Sequence, residues 1–109
     1  MAADLEGLVA AIFEKSDCSR AESERIARYL VRANLAGHDS HGVVRVPRYI
    51  QLKQEKLILA DPKVDLLVDT PVLAVVDGKY GFGQTVAPQA VEVGIGKCRQ
   101  MGLAAVALR

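Results

Sequence analysis

The residues of this chain best suited to chemistry lie in one run, Gly37-His38-Asp39-Ser40-His41-Gly42-Val43-Val44-Arg45-Val46-Pro47-Arg48-Tyr49. Two histidines, an acid, a hydroxyl and an arginine fall here between Gly37 and Pro47, and a second arginine follows the proline. Each such group needs a partner when buried, so their density suits a site better than a core. An imidazole exchanges a proton near neutral pH. A guanidinium offers a rigid two-pronged donor that matches a carboxylate. One His and one Arg converging on a pocket would polarise a carbonyl or hydroxyl while holding a neighbouring carboxylate, which is what a 2-oxo or 2-hydroxy acid requires. If the chain turned helically after Gly42, then His41, Arg45 and Arg48 would stand at i, i+4 and i+7 on one face. Pro47 works against that continuity, because it disfavours helical geometry at Val46 and cannot donate a hydrogen bond.

The same letters have blander readings. A histidine beside a turn is commonly a solvated or capping residue, and Arg45 and Arg48 would ordinarily be surface charges. His38 and His41 lack a nearby Cys or carboxylate at zinc spacing, so no metal site is expected. Asp39, Ser40 and His41 contain the members of a hydrolytic triad, but adjacent residues do not readily aim their side chains at one another, and triads assemble from separate segments. The triad is rejected.

The elements that must position this run follow from periodicity. Leu5, Leu8, Val9, Ile12 and Phe13 repeat at helical spacing and predict an amphipathic helix, broken at Ser16-Asp17-Cys18. Ser19-Arg20-Ala21-Glu22 reads as a capping box, with the hydroxyl accepting from the Glu22 N–H and the Glu22 side chain reaching back. Ile26, Tyr29, Leu30 and Ala33 supply the next apolar face, and Gly37 is the natural stop. The two helices are expected to pack together as a scaffold presenting residues 38–48. A third helix resumes near Pro47 and runs to about Lys56.

Beyond Ala60-Asp61-Pro62 the composition turns strand-rich. Residues 63–68 and 72–76 read as strands divided by the turn Asp69-Thr70-Pro71. A helix is expected over 85–100, with Pro88 in its first turn and Gly102 as its stop. Its packing face is either Val86, Ala90, Val93 and Lys97 or Ala87, Val91, Gly94 and Cys98. Leu103 to Leu108 reads as a buried strand, completing βαβ proportions with 72–76. Fold class is therefore α/β: N-terminal helices, a strand-turn-strand and a βαβ unit. The organisation expected is a helical segment 1–59 carrying the Ser-His-Gly motif, then the start of an α/β catalytic domain over 60–109.

Asp77-Gly78-Lys79-Tyr80-Gly81-Phe82-Gly83 is the second stretch to weigh. Glycines let backbone N–H groups approach an anion, and a helix follows. Gly81 and Gly83 are thus weak candidates for cofactor binding. Gly81-Phe82-Gly83 lacks the third glycine that completes a dinucleotide fingerprint and no Walker lysine follows, so a structural strand-to-helix turn is the favoured reading.

At 109 residues the chain can bury a sizeable core. Half the residues are hydrophobic and a quarter charged, a soluble globular balance. A net charge of +1 without a basic block, and few aromatics, leave nucleic acid a poor partner. No signal peptide or membrane-length apolar run occurs. Cys18 and Cys98 stand far apart without a motif and read as reduced thiols of a cytoplasmic protein. Ending one residue after an expected buried strand, the chain reads as the N-terminal piece of something longer.

The run from Gly37 to Ile50 resembles the signature of the type-2 malate/L-lactate dehydrogenase family. Sulfolactate dehydrogenase, ureidoglycolate dehydrogenase, diketogulonate reductase and the cyclic-imine (piperideine-2-carboxylate) reductases belong to that family. Ser40-His41-Gly42, the Arg four residues after the His, and Pro47 with Tyr49 match, as do Asp77-Gly78 and Gly81-Phe82-Gly83-Gln84 further on. Resemblance runs from about Leu5 to Arg109. It implies that His41 is the catalytic acid/base and that Arg45 binds substrate, with Arg48 as a helper and Ser40 and Asp39 supporting the imidazole. It further implies an NAD- or NADP-dependent oxidoreductase of non-Rossmann α/β fold that interconverts a 2-hydroxy acid with its 2-oxo counterpart. Such enzymes are commonly homodimers, considerably longer than this chain, with most cofactor contacts beyond Arg109. These residues alone are therefore expected to be inactive. The rival reading is a non-catalytic α/β module that binds a protein partner, or an inactive fragment.

Overall fold

The computed structural model describes residues 1–109 and divides them into two compact units, Met1–Asp61 and Pro62–Arg109. The first unit is helical. Helix α1 spans Ala2–Glu14, α2 spans Arg20–Leu35, two 3-10 turns occupy Asp39–His41 and Val43–Arg45, and α3 spans Val46–Gln54. Helices α1 and α2 pack against each other, as their apolar stripes require. The buried faces are rotated from the expected ones, however. In α1 the covered residues are Val9, Ala10 and Phe13, while Leu8 stays 61% exposed. In α2 they are Ile26, Ala27, Leu30 and Val31, while Tyr29 remains exposed. The small alanines, which a search for large apolar residues passes over, share the contact face. Phe13 is fully buried, worth roughly 2–3 kcal/mol of apolar transfer. Its ring also meets that of Tyr49 at 6.5 Å and a 59° tilt, which docks α3 on the helix pair.

The start of α2 is capped, but only half in the expected way. Ser19 Oγ accepts from the Glu22 N–H at 3.2 Å. Glu22 does not reach back to Ser19; buried, it accepts instead from the backbone N–H of Asp61 at 2.6 Å. Asp61 takes over the vacant role, accepting from the Ser19 N–H at 2.7 Å and also from its hydroxyl. A carboxylate from a distant stretch thus sits at the helix N-terminus, where negative charge is favoured. Both cysteines are free; Cys18 is buried and Cys98 exposed. Burial, helped by Glu22, pushes the Cys18 thiol up to about 11.

In the second unit, β1 (Asp65–Asp69) pairs antiparallel with β2 (Leu73–Asp77), which pairs parallel with β3 (Ala105–Leu108), in the order β1-β2-β3. The register runs Asp65 to Asp77 and Leu66 to Val76, then shifts so that Val68 meets Val75. One residue too many in β1 makes a bulge there. The turn between β1 and β2 is closed by Thr70, whose N–H donates to the Leu73 carbonyl (2.9 Å) and whose hydroxyl accepts from the Leu73 N–H (2.9 Å). Lys97 clamps it from the following helix, paired with Asp69 and donating to the Thr70 carbonyl.

Helix α4 (Gly83–Met101) is the crossover between the parallel strands β2 and β3. It starts two residues before the expected Thr85, so Pro88 lies inside the helix rather than in its first turn. The cost is one helical hydrogen bond. Of the two alternative faces, the one with Val86 and Ala90 is buried. The other, with Ala87, Val91, Gly94 and Cys98, lines an open apolar groove of about 510 Å³ with Val106 and Leu108. β3 forms where expected, but it is not buried: Ala105, Ala107 and Leu108 are exposed, because only α4 lies near this end of the sheet. No helix is long and apolar enough to cross a membrane.

Candidate active site

The site is built on the end of α2. Gly37, at φ +80°, turns the chain out of the helix, with its N–H on the Asn34 carbonyl (2.9 Å) and the His38 N–H on that of Ala33 (2.8 Å). This pair of bonds is a Schellman stop. Residues 38–45 then do not continue as one helix. Two 3-10 turns flank an extended Gly42, φ −90° and ψ −151°. The i, i+4, i+7 face expected for His41, Arg45 and Arg48 is therefore interrupted. Pro47 is not the cause, since it sits at the favoured start of α3. The break falls at Gly42.

His41 and Arg45 nevertheless meet at a common residue. Ser40 Oγ lies 3.0 Å from His41 Nδ1, and the Ser40 carbonyl accepts from Arg45 Nε at 2.6 Å. The imidazole is held through Nδ1, which leaves Nε2 for a ligand. The guanidinium is held through Nε, leaving its two terminal nitrogens for a ligand. All three residues are exposed. Arg48 shares no hydrogen bond with Ser40: on α3 it donates to Gln51 Oε1 at 3.0 Å, and Gln51 in turn donates to Glu55 at 2.7 Å. Asp39 does not hydrogen-bond the imidazole either. Its Oδ1 accepts from Asn34 Nδ2 at 2.6 Å.

Asn34 is the site residue that spacing arguments miss. It stands half-buried in the last turn of α2, where its amide also accepts from the Val43 N–H at 2.9 Å. One side chain thus grips both 3-10 turns. The sequence holds a faint sign of it, since Asn is a poor helix former just before a helix stop.

The two glycines of the second unit differ. A Cβ on Gly81 would overlap Pro62 and lie 2.7 Å from Val86 Cγ1, so Gly81 is a packing glycine. Gly83 has nothing within 4 Å of that position and begins α4, whose cap, Phe82, offers no side-chain hydrogen bond. Neither has positive φ; that geometry falls on Lys79 (50°) and Tyr80 (56°). The Lys79 N–H is tied to Asp77 Oδ1 (2.9 Å) and its ammonium to Asp65 (2.7 Å).

With this geometry the chain matches a family over its whole length: the malate/L-lactate dehydrogenase model aligns with residues 1–109. The chain belongs to the malate/L-lactate dehydrogenase family. Hydroxycarboxylate dehydrogenase B of Escherichia coli O157:H7 is 34% identical over 104 residues, covering 95% of this chain and 29% of the relative. The solved sulfolactate dehydrogenase of Methanocaldococcus jannaschii superposes with a TM-score of 0.91 at 30% identity, over 99% of this chain and 31% of that one. Malate dehydrogenase from Pyrococcus horikoshii OT3 gives a TM-score of 0.91 at 27% identity, over 98% and 31%. The mixed α/β arrangement is thus that of the family's dehydrogenases. The chain spans about three tenths of the length of the curated relatives it matches.

Proposed function

We propose that this chain supplies the proton-transfer and carboxylate-binding groups of a nicotinamide-dependent dehydrogenase acting on a 2-hydroxy acid and its 2-oxo counterpart. The observation that carries the reading is the shared anchor: Ser40 holds His41 by its hydroxyl and Arg45 by its carbonyl. A substrate whose carboxylate sits on the free Arg45 fork presents its adjacent oxygen to a group one carbon away, the spacing of a 2-hydroxy acid.

In reduction, imidazolium Nε2 of His41 gives its proton to the carbonyl oxygen as that carbon is reduced; in oxidation, Nε2 takes it back. Throughout, Nδ1 keeps its proton and donates it to Ser40 Oγ, the tautomer in which Nε2 is the base. Arg45 keeps the carboxylate charge satisfied in both directions. The nicotinamide, NAD or NADP, supplies or removes the hydride when bound. Within this chain Gly83 fits an approaching phosphate, because its space is open at a helix N-terminus; Gly81, filled by Pro62 and Val86, does not. Relatives named for sulfolactate, malate and hydroxycarboxylates support the substrate class, and one named for NADP(+) supports the cofactor. Arg48, held to Gln51 through one terminal nitrogen, would assist at the carboxylate, and Asp39 would act through the turn. The free thiols and the family resemblance favour a cytoplasmic homodimer.

The test is a pair of variants in an enzyme of family length carrying these residues, assayed with malate, sulfolactate and related 2-hydroxy acids. His41→Ala should lower kcat by roughly 10²–10⁴-fold with cofactor affinity unchanged. Arg45→Lys keeps the charge but loses the fork, and should mainly raise KM for the acid. Near-normal turnover in His41→Ala, or variants that merely melt earlier, would overturn the assignment.

A further inference from the structure

We infer that Asn34 is a positioning residue for His41, reading both turns that flank the imidazole through one amide. The inference rests on the acid/base reading of His41 and deepens it.

Three observations converge. First, the two hydrogen bonds fix the orientation of the amide without ambiguity. Only its NH₂ can donate to the Asp39 carboxylate (2.6 Å), and only its carbonyl can accept from the Val43 N–H (2.9 Å). Second, the two partners bracket the site: Asp39 opens the first 3-10 turn and Val43 opens the second, with Ser40, His41 and Gly42 between them. Third, Gly42 leaves room for that amide. A Cβ at Gly42 would fall on Asn34 Oδ1 and Cγ and within 2.6 Å of Nδ2. Gly42 is buried although its neighbours His41 and Ser40 are exposed, because the amide covers it. The glycine of Ser-His-Gly therefore serves a side chain eight residues earlier.

The consequence is a rigid frame under an exposed imidazole. α2 is a packed helix, Asn34 is fixed on it, and the 39–43 backbone is fixed on Asn34. Ser40, suspended between the two grips, then sets His41 by its hydroxyl and Arg45 by its carbonyl. Asn34 does not touch substrate in this arrangement; it acts through the backbone that carries Ser40 and His41. A misplacement on the order of 1 Å at such a centre costs about 100-fold in rate.

A charge swap tests this directly. Asn34→Asp sets a second carboxylate against Asp39, turning a donor–acceptor contact into a repulsive one. Combined with Asp39→Asn, the new carboxylate at position 34 accepts from the Val43 N–H and from the new amide at position 39, so both hydrogen bonds return. In an enzyme of family length, Asn34→Asp should lower kcat by roughly 10–100-fold with little change in cofactor KM, and the double variant should recover most of it. On the 109-residue chain itself, NMR should show faster Val43 amide exchange and an altered His41 ring-nitrogen signal in Asn34→Asp, both reversed in the swap. Wild-type kcat in Asn34→Asp, or a well-folded double variant that recovers neither kcat nor Val43 protection, would overturn the inference. Loss of turnover in His41→Ala alongside normal turnover in Asn34→Asp would sink Asn34 only. Normal turnover in His41→Ala, with Val43 protection lost in Asn34→Asp, would sink the acid/base reading while leaving Asn34 as the holder of the turn.

Discussion

Two glycine-centred turns of this chain, residues 38–45 and 77–83, use the same device toward opposite ends. At both, a glycine is required because its missing Cβ makes space for a neighbour. At Gly42 the neighbour is a polar amide, Asn34, which takes over the backbone and leaves His41, Ser40 and Arg45 exposed. At Gly81 the neighbours are apolar, Pro62 and Val86, and the space is closed by packing. The polar groups around Gly81 are occupied by one another: Asp77 holds the Lys79 N–H and Asp65 holds the Lys79 ammonium. A turn whose side chains are tied to each other stabilises the fold, whereas one whose backbone is tied from outside has side chains to spare. Glycine-rich composition does not distinguish a site from a joint; the partners of the glycine do.

The largest effect is expected at Gly42. Gly42→Ala drives a methyl group into an amide that is hydrogen-bonded on both sides. Overpacking costs about 1–3 kcal/mol, and losing the two hydrogen bonds adds about 1 kcal/mol each. The expected destabilisation is thus roughly 3–5 kcal/mol, read by urea denaturation, with turnover reduced further than stability alone explains. A variant of normal stability and activity would show that Asn34 gives way freely, and the contrast drawn above would collapse.

Gly81→Ala should have the smaller effect. The inserted methyl meets Pro62 Cγ and Val86 Cγ1, carbon against carbon with no hydrogen bond to break, so about 1–3 kcal/mol is expected. No catalytic parameter should move once the protein is folded. If nucleotide affinity dropped while the melting temperature held, the turn would be a cofactor cradle and the distinction between the two regions would vanish.

How much of this was legible in advance follows from what sets each feature. α2 and its stop at Gly37, the turn at Asp69-Thr70-Pro71 and the β2-α4-β3 crossover depend on local propensity and spacing, and they form where expected. The buried faces of α1 and α2 were not legible, because which flank of an apolar stripe is covered depends on the partner helix. The reciprocal half of the Ser19 capping box failed for a similar reason: Asp61, forty-two residues away, competes successfully for the Ser19 N–H. At the site, the residue types pointed to His41 and Arg45, but not to the way they are held. The expected helical face assumed continuous geometry through Gly42, and the extended backbone there is flanked by the two bonds of Asn34, whose reach no spacing rule reveals.

The smallest effect is expected at Gly83. Gly83 is exposed, starts α4, lacks positive φ and has no atom within 4 Å of the position a Cβ would take. Ala in place of Gly at a compatible position narrows the unfolded ensemble, so Gly83→Ala should leave the melting temperature unchanged or raise stability by about 0.4–1 kcal/mol. Paired with Gly81→Ala, two residues away, it should change stability in the opposite direction within a single turn. Its second readout is cofactor binding, measured by nicotinamide fluorescence in an enzyme of family length. A methyl at an open helix N-terminus obstructs an anion that approaches the backbone closely. If affinity weakens without loss of stability, Gly83 faces the cofactor; if affinity and stability are both untouched, the second turn is a joint throughout, and the chemistry of this chain is confined to the turn held by Asn34.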